Sequence, residues 1–211
     1  GEQDFSGHVI STLDAVTDRT LGLLADPRVD GPWDRRGMVV GHVQSGKTAN
    51  YTGLICKAAD AGYRLIVVIA GIHNNLRNQT QLRIDQGFVG CDSARLLSQR
   101  SAKFVGVGRF DSSRSPVTFT NSMRDFTKQS ATTVGVPLQN LTEPAVFVIK
   151  KNATTLKNLI DWLREHSASR GAQKVDAPML LIDDEADNAS INIRYGKEGA
   201  SKINSQIREL L

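Results

Sequence analysis

Three stretches of this chain, YRLIVVIAG (63–71), PAVFVIKK (144–151) and PMLLIDDEAD (178–187), carry apolar runs with no polar residue at every second position. A strand with one face in water alternates; a strand without alternation has both faces covered, and such strands belong to parallel sheets packed between helices. Segments with helical spacing follow the first two. IHNNLRNQTQLRID (72–85) offers a modest face of Leu76, Leu82 and Ile84, and NATTLKNLIDWLREH (152–166) a clear stripe of Leu156, Leu159, Ile160 and Leu163. A fourth short run, MVVG (38–41), reads as a buried strand ahead of TANYTGLICKAADA, where Tyr51, Leu54, Ile55 and Ala58 recur at helical spacing. The alternation predicts an α/β fold with a parallel sheet and helices on both faces.

Between that fourth run and its helix lies GHVQSGKT (41–48), which satisfies G-x-x-x-x-G-K-[ST]. Each fixed position has a physical task. Gly41 and Gly46 let the backbone curl until several N–H groups converge on one anion. Lys47 sets an ammonium against the β- and γ-phosphates, and the Thr48 hydroxyl is a ligand for Mg²⁺. The loop opens a helix, whose N-terminus attracts phosphate. Gly41, Ser45, Gly46, Lys47 and Thr48 are therefore candidate contacts for a nucleoside triphosphate.

A triphosphatase also needs a carboxylate for the metal's water shell and another to activate the attacking water, at the carboxyl end of a neighbouring strand. MLLIDDEAD supplies both. Chemistry assigns Asp184 to the Mg²⁺ and its water, and Glu185 to the general base, with Asp183 able to exchange roles with Asp184. The competing reading is an acidic cap favouring a helix dipole; the partner loop about 135 residues earlier makes that the weaker one.

Composition excludes less. The chain has 211 residues, a net charge of +4, and 40% hydrophobic residues. That suffices for a full core and permits an anionic partner without indicating one. No run approaches the ~18 apolar residues of a membrane span. The N-terminus lacks a signal-peptide layout, and Cys56 and Cys91 stand alone without metal-ligand spacing, so a cytoplasmic, reducing setting is expected. Phe5 to Leu24 has a helical pattern, making residues 1–35 a helical lead-in and 36–211 the main domain. The Ser-, Thr-, Gly- and Arg-rich stretch 87–143 reads as an insertion of short strands, loops and a small helix.

The letters Asp184-Glu185-Ala186-Asp187 resemble the signature of superfamily 2 helicases and translocases, and AGIHNNLRNQT (70–80) resembles their first strand-contacting motif. A narrower resemblance covers roughly 36–195. The segments VVGHVQSGKTANYTGLICKAADAGYRLIVVIAGIHNNLRNQTQLRID, VIKKNATTLKNLIDWL and LLIDDEADNASIN are similar, in order and spacing, to the Z-one domain family. Those are helicase-like ATPases of bacterial restriction and phage-defence loci, named as endonucleases. The resemblance implies a RecA-like P-loop NTPase lobe that binds ATP and Mg²⁺ and acts on nucleic acid, with DNA expected. It implies ATPase roles for Lys47, Thr48, Asp184 and Glu185, and matches Gln44 to the family's loop, where its amide would touch or sense a phosphate.

Helicase-like motors pair two such lobes, and no second sheet pattern or lobe-coupling motif follows Asp187. The expectation is a first lobe whose second lobe lies outside this sequence, with weak nucleotide binding and little turnover on its own. Other defence-system proteins are further expected partners. No separated Asp and Glu-x-Lys pair supports nuclease chemistry. Asn74 and Arg77 after one strand, and Lys150, Lys151 and Asn152 after another, are candidate nucleic-acid contacts, since parallel strands end on one side of the sheet. A different class of function is a nucleotide-gated binding or scaffold module, for which the water-activating Glu185 is superfluous.

Overall fold

A computed structural model describes residues 5–42, 46–96, 101–113, 116–134, 140–167, 175–192 and 200–211. The three uninterrupted apolar runs become strands β1 (Leu65–Ala70), β3 (Ala145–Lys150) and β4 (Met179–Asp183), joined by a two-residue strand β2 (Val117–Thr118). The sheet order is β2-β3-β1-β4, and every pairing is parallel. Leu65 of β1 stands opposite Ala145 on one side and Met179 on the other, so the central strand is covered along both edges.

Seven α-helices occur among the described residues: α1 (Gly7–Leu21), α2 (Lys47–Ala61), α3 (Asn74–Ile84), α4 (Ser93–Leu96), α5 (Lys128–Val134), α6 (Ala153–Ser167) and α7 (Lys202–Leu210). Period-two alternation sends the residues of β1 to opposite faces. Leu65, Val67 and Ile69 join Phe147 and Ile149 beneath Leu156, Leu159, Trp162 and Leu163 of α6, with α7 packed alongside. Ile66 and Val68 join Val146, Val148 and Leu180 beneath Tyr51, Ile55 and Ala58 of α2 and Ile84 of α3. Helices therefore cover both faces, as the alternation predicts. Each fully buried Val, Leu, Ile or Phe contributes about 1.5–3 kcal/mol, so β1 alone, buried at all six positions, is a large part of the driving force.

The insertion is not a peripheral loop. Phe119 and Phe126 come from it, and both are buried with Phe147 and Trp162 in one aromatic cluster. A buried polar network ties it to the helices. Asp85, in a π-helical turn (Asp85–Val89) after α3, accepts from Gln81 Nε2 at 2.9 Å and from Ser93 Oγ at 2.6 Å. Gln81 Oε1 accepts from Thr120, whose own hydroxyl oxygen accepts from the Val148 amide of β3. Burial raises the Asp85 carboxyl's pKa, and these donors oppose it.

One predicted strand is absent. Met38, Val39 and Val40 form no strand, and are 86%, 59% and 82% exposed. A strand exists only where a neighbour takes its backbone N–H and C=O groups. Both edges of β1 are taken, and the outer edge of β4 carries no paired strand among the described residues. The apolar sequence is right for a strand, but no strand among the described residues pairs with it. Among the described residues no helix is long and apolar enough to cross a membrane.

Candidate functional site

The sheet order brings three distant segments to one edge. Gly71 follows the last residue of β1, Lys151 that of β3 and Asp184 that of β4, and main-chain bonds tie these ends together. The Asp184 amide donates to Ile69 O at 2.9 Å, and the Lys151 amide to Gly71 O at 3.3 Å. Beside them stands the first turn of α2. Gly46 precedes it at φ 81°, a left-handed conformation that favours glycine, and Lys47 and Thr48 are its first residues. The open space beside the first turn of α2 is lined by Gly46, Lys47, Thr48, Arg83, Asp184 and Glu185.

Tyr51 joins the two halves. Its hydroxyl donates to Asp184 Oδ2 at 3.2 Å, from one turn beyond Lys47 and Thr48. Burial, and next the negative charge of Asp184, push the Tyr51 phenol up to about 12, so it stays a proton donor at neutral pH. Tyr51 reads in the sequence only as part of an apolar stripe. Its ring does pack in the core; the reach of its hydroxyl to Asp184 is what helical spacing does not reveal.

Lys47 Nζ donates to the carbonyls of Gly41 and His42, both at 3.0 Å, curling back on its own loop. Arg83 of α3 donates from Nη1 to Thr48 Oγ1 at 2.9 Å, adding a second cation where only one was expected. No motif marks Arg83; it arrives because α3 packs against α2. Gln44 and Ser45 lie outside the described residues.

The acidic turn separates its members. Lys151 Nζ lies 2.9 Å from Asp183 Oδ1, off the direction of a hydrogen bond but within ion-pair distance. Asp184 faces α2 through Tyr51, and its Oδ1 accepts from the Glu185 amide at 3.0 Å. Glu185 adopts φ 52°, the left-handed region that costs a non-glycine residue energy. Its side chain lies over Gly71: a Cβ added there would stand 2.9 Å from Glu185 Oε2 and 2.7 Å from Leu76 Cδ1. A side chain at residue 71 would therefore make the ends of Leu76 and Glu185 shift from these positions.

Three of the five expected nucleic-acid contacts are structural instead. Arg77 is 2% exposed, and its guanidinium donates to Asn121 O at 2.7 Å and Ser122 O at 3.2 Å, fastening the insertion to α3. Lys151 is buried against the acidic turn. Asn152 caps α6, its carboxamide oxygen accepting from the Thr154 and Thr155 amides. The other two adjoin each other, with Lys150 Nζ donating to Asn74 Oδ1 at 2.9 Å in an exposed pair.

Comparison with protein-family models, curated proteins and solved structures yields no match to this chain.

The donor set suits a magnesium-bound nucleotide. The Thr48 hydroxyl and Asp184 carboxylate are hard oxygen ligands, and Lys47 and Arg83 supply cations beside a helix N-terminus. Among the described residues no three His, Cys, Asp or Glu side chains are grouped to hold a metal, so a cation here would draw its remaining ligands from phosphate and water. Cys56 is no candidate nucleophile, because burial pushes its thiol up to about 11.

Proposed function

We propose that this chain is the RecA-like ATP-binding lobe of a helicase-like, nucleic-acid-dependent ATPase acting on DNA. The observation that carries the reading is the Tyr51–Asp184 hydrogen bond, which holds the acidic strand end against the helix that begins at Lys47. That two motifs about 135 residues apart in sequence lie beside one another at one edge of the sheet supports the reading. The parallel sheet adds support, because ligands of such sheets bind beyond the carboxyl ends of the strands.

When bound, Mg²⁺·ATP supplies the phosphoryl group and the charge neutralisation for its hydrolysis. Lys47, which here bonds the carbonyls of Gly41 and His42, would hold phosphate oxygens. The Thr48 hydroxyl and the Asp184 carboxylate would hold the cation and its water, and Arg83, beside Thr48, would face phosphate charge. Asp184 takes the metal role in preference to Asp183, whose carboxylate is paired with Lys151. Glu185 orients the attacking water and accepts its proton. Asn74 and Lys150 form the part of the surface best suited to a nucleic-acid phosphate.

The test is ATP turnover by the full-length protein with and without single- and double-stranded DNA, alongside Lys47→Ala and Glu185→Gln. DNA-stimulated hydrolysis abolished in both variants is expected, with nucleotide binding lost only in the first. Binding without hydrolysis in the wild type would instead indicate a nucleotide-gated module, and no binding at all would remove the proposal.

A further inference from the structure

We infer that Lys151 is a positioning residue for the acidic turn: it sets the backbone of Asp184 and Glu185, and through it the Glu185 carboxylate. The inference rests on the ATPase reading above for its consequence, but its geometry stands independently.

β3 and β4 are not neighbours, since β1 lies between them. Two inter-strand spacings amount to roughly 9–10 Å. Lys151, the first residue after β3, crosses that gap with its long side chain over the end of β1. Its ammonium reaches the far strand's turn, donating to Asp184 O at 2.8 Å and Glu185 O at 2.7 Å. The Asp183 carboxylate at 2.9 Å completes its surroundings. The lysine side chain is 0% exposed, so water does not compete for these contacts. An ammonium has three donors and no acceptor, and here every partner belongs to residues 183–185.

Both carbonyls belong to peptides on either side of the strained position. Glu185 sits at φ 52°, which an unconstrained glutamate avoids, and such strain persists only where surrounding contacts over-determine it. Lys151 fixes the carbonyl of residue 184 and that of residue 185 together, which restricts the torsions between them. The Asn188 amide also donates to Glu185 O at 2.8 Å, closing the turn from the other side. The result carries the Glu185 side chain to its place over Gly71. A shorter or neutral residue at 151 would take the ammonium donor from Asp184 O, leave Glu185 O to the Asn188 amide, and free the turn to relax.

Lys151→Met alone also strands the Asp183 carboxylate, which is itself destabilising; Lys151→Met combined with Asp183→Asn removes both charges and keeps similar volumes. In the folded double variant of the full-length protein, ATP affinity is expected within about twofold of wild type. The kcat should fall about 100-fold, the scale on which small misplacements of a reacting group act. Hydrogen exchange at the amides of residues 185–188 should accelerate about tenfold or more, while exchange in β1 and α6 stays unchanged. Unchanged exchange at that turn overturns the inference, and so does accelerated exchange with kcat retained. The exchange measurement requires no turnover. If the wild type fails to hydrolyse ATP, the proposed function fails while exchange still decides whether Lys151 holds the turn.

Discussion

Arg77 separates a structural cation from a nucleic-acid contact in one measurement. Replacing it with Met keeps most of the buried side-chain volume and deletes the guanidinium. Beside a bond to Asn78 Oδ1 at 2.5 Å within α3, which is local, two well-formed hydrogen bonds reach the insertion, to Asn121 O at 2.7 Å and Ser122 O at 3.2 Å, and these two set the estimate. Contacts to Arg124 O and Val148 O, both at 3.4 Å, are long and are given no weight. Hydrogen bonds from a charged donor contribute about 1.5–3 kcal/mol each, so Arg77→Met should cost about 3–6 kcal/mol. Desolvation works against the wild-type arginine: burial lowers its pKa, with Asp125 and then Asp85 opposing the shift, so the lower half of that range is the better expectation. At about 2–4 °C per kcal/mol for a domain of this size, the melting temperature should drop on the order of 10 °C. Circular dichroism melts and urea titration of wild type and variant measure it, with DNA binding recorded below both transitions. A drop under about 2 °C together with weakened DNA binding would refute the buried-staple account and restore Arg77 as a surface contact.

Two further outcomes follow from the site. Gly71→Ala places a methyl group against Leu76 and the Glu185 carboxylate, so kcat should fall about tenfold or more while nucleotide affinity stays within about twofold; an unchanged kcat would show that Glu185 does not need its place over residue 71. The raised Tyr51 pKa sets a pH window: the phenol is neutral in both states below its ordinary value near 10, whereas between 10 and about 12 the unfolded chain ionises first. Stability from this group is therefore present at neutral pH and lost as pH rises through that window, and melts of wild type against Tyr51→Phe should show a steeper alkaline loss in the wild type.

What the sequence discloses follows from how local each feature is. The stripes on α2 and α6 were readable because helical spacing alone decides which side chains share a face, and Tyr51, Leu54, Ile55, Ala58, Leu156, Leu159, Ile160 and Leu163 are all buried. The strands β1, β3 and β4 were readable because continuous apolar runs need cover on both sides. MVVG has the same composition and fails, since pairing belongs to the neighbour as much as to the strand. Lys151 and Arg77 mislead for a related reason. A cation at a strand end or on a helix start is ordinarily solvated, and only the sheet order, or an insertion whose fold is not legible, says what lies across from it. Tyr51 shows the same limit from the other side, an aromatic in a core stripe whose one polar atom finds the functional carboxylate.

The two halves of the candidate site are fastened differently, and that difference bears on the nucleotide binding proposed for it. The acidic turn is held by a buried ammonium, by main-chain bonds to β1 and by Tyr51, so its geometry is set before any ligand arrives. Of the segment proposed to hold phosphate, Lys47 enters α2, while Met38–Val40 have no strand partner among the described residues. Its lysine is bonded to the loop's own carbonyls. A phosphate must therefore replace two hydrogen bonds to Lys47 before it gains the ammonium, so the favourable term is the difference between charge-assisted partners rather than the whole bond. Affinity in this arrangement depends on what fixes residues 38–41, whereas placement of Asp184 and Glu185 does not. A perturbation of Met38–Val40 should accordingly change nucleotide affinity with little effect on the catalytic step, the reverse of the pattern expected at Lys151 and Gly71.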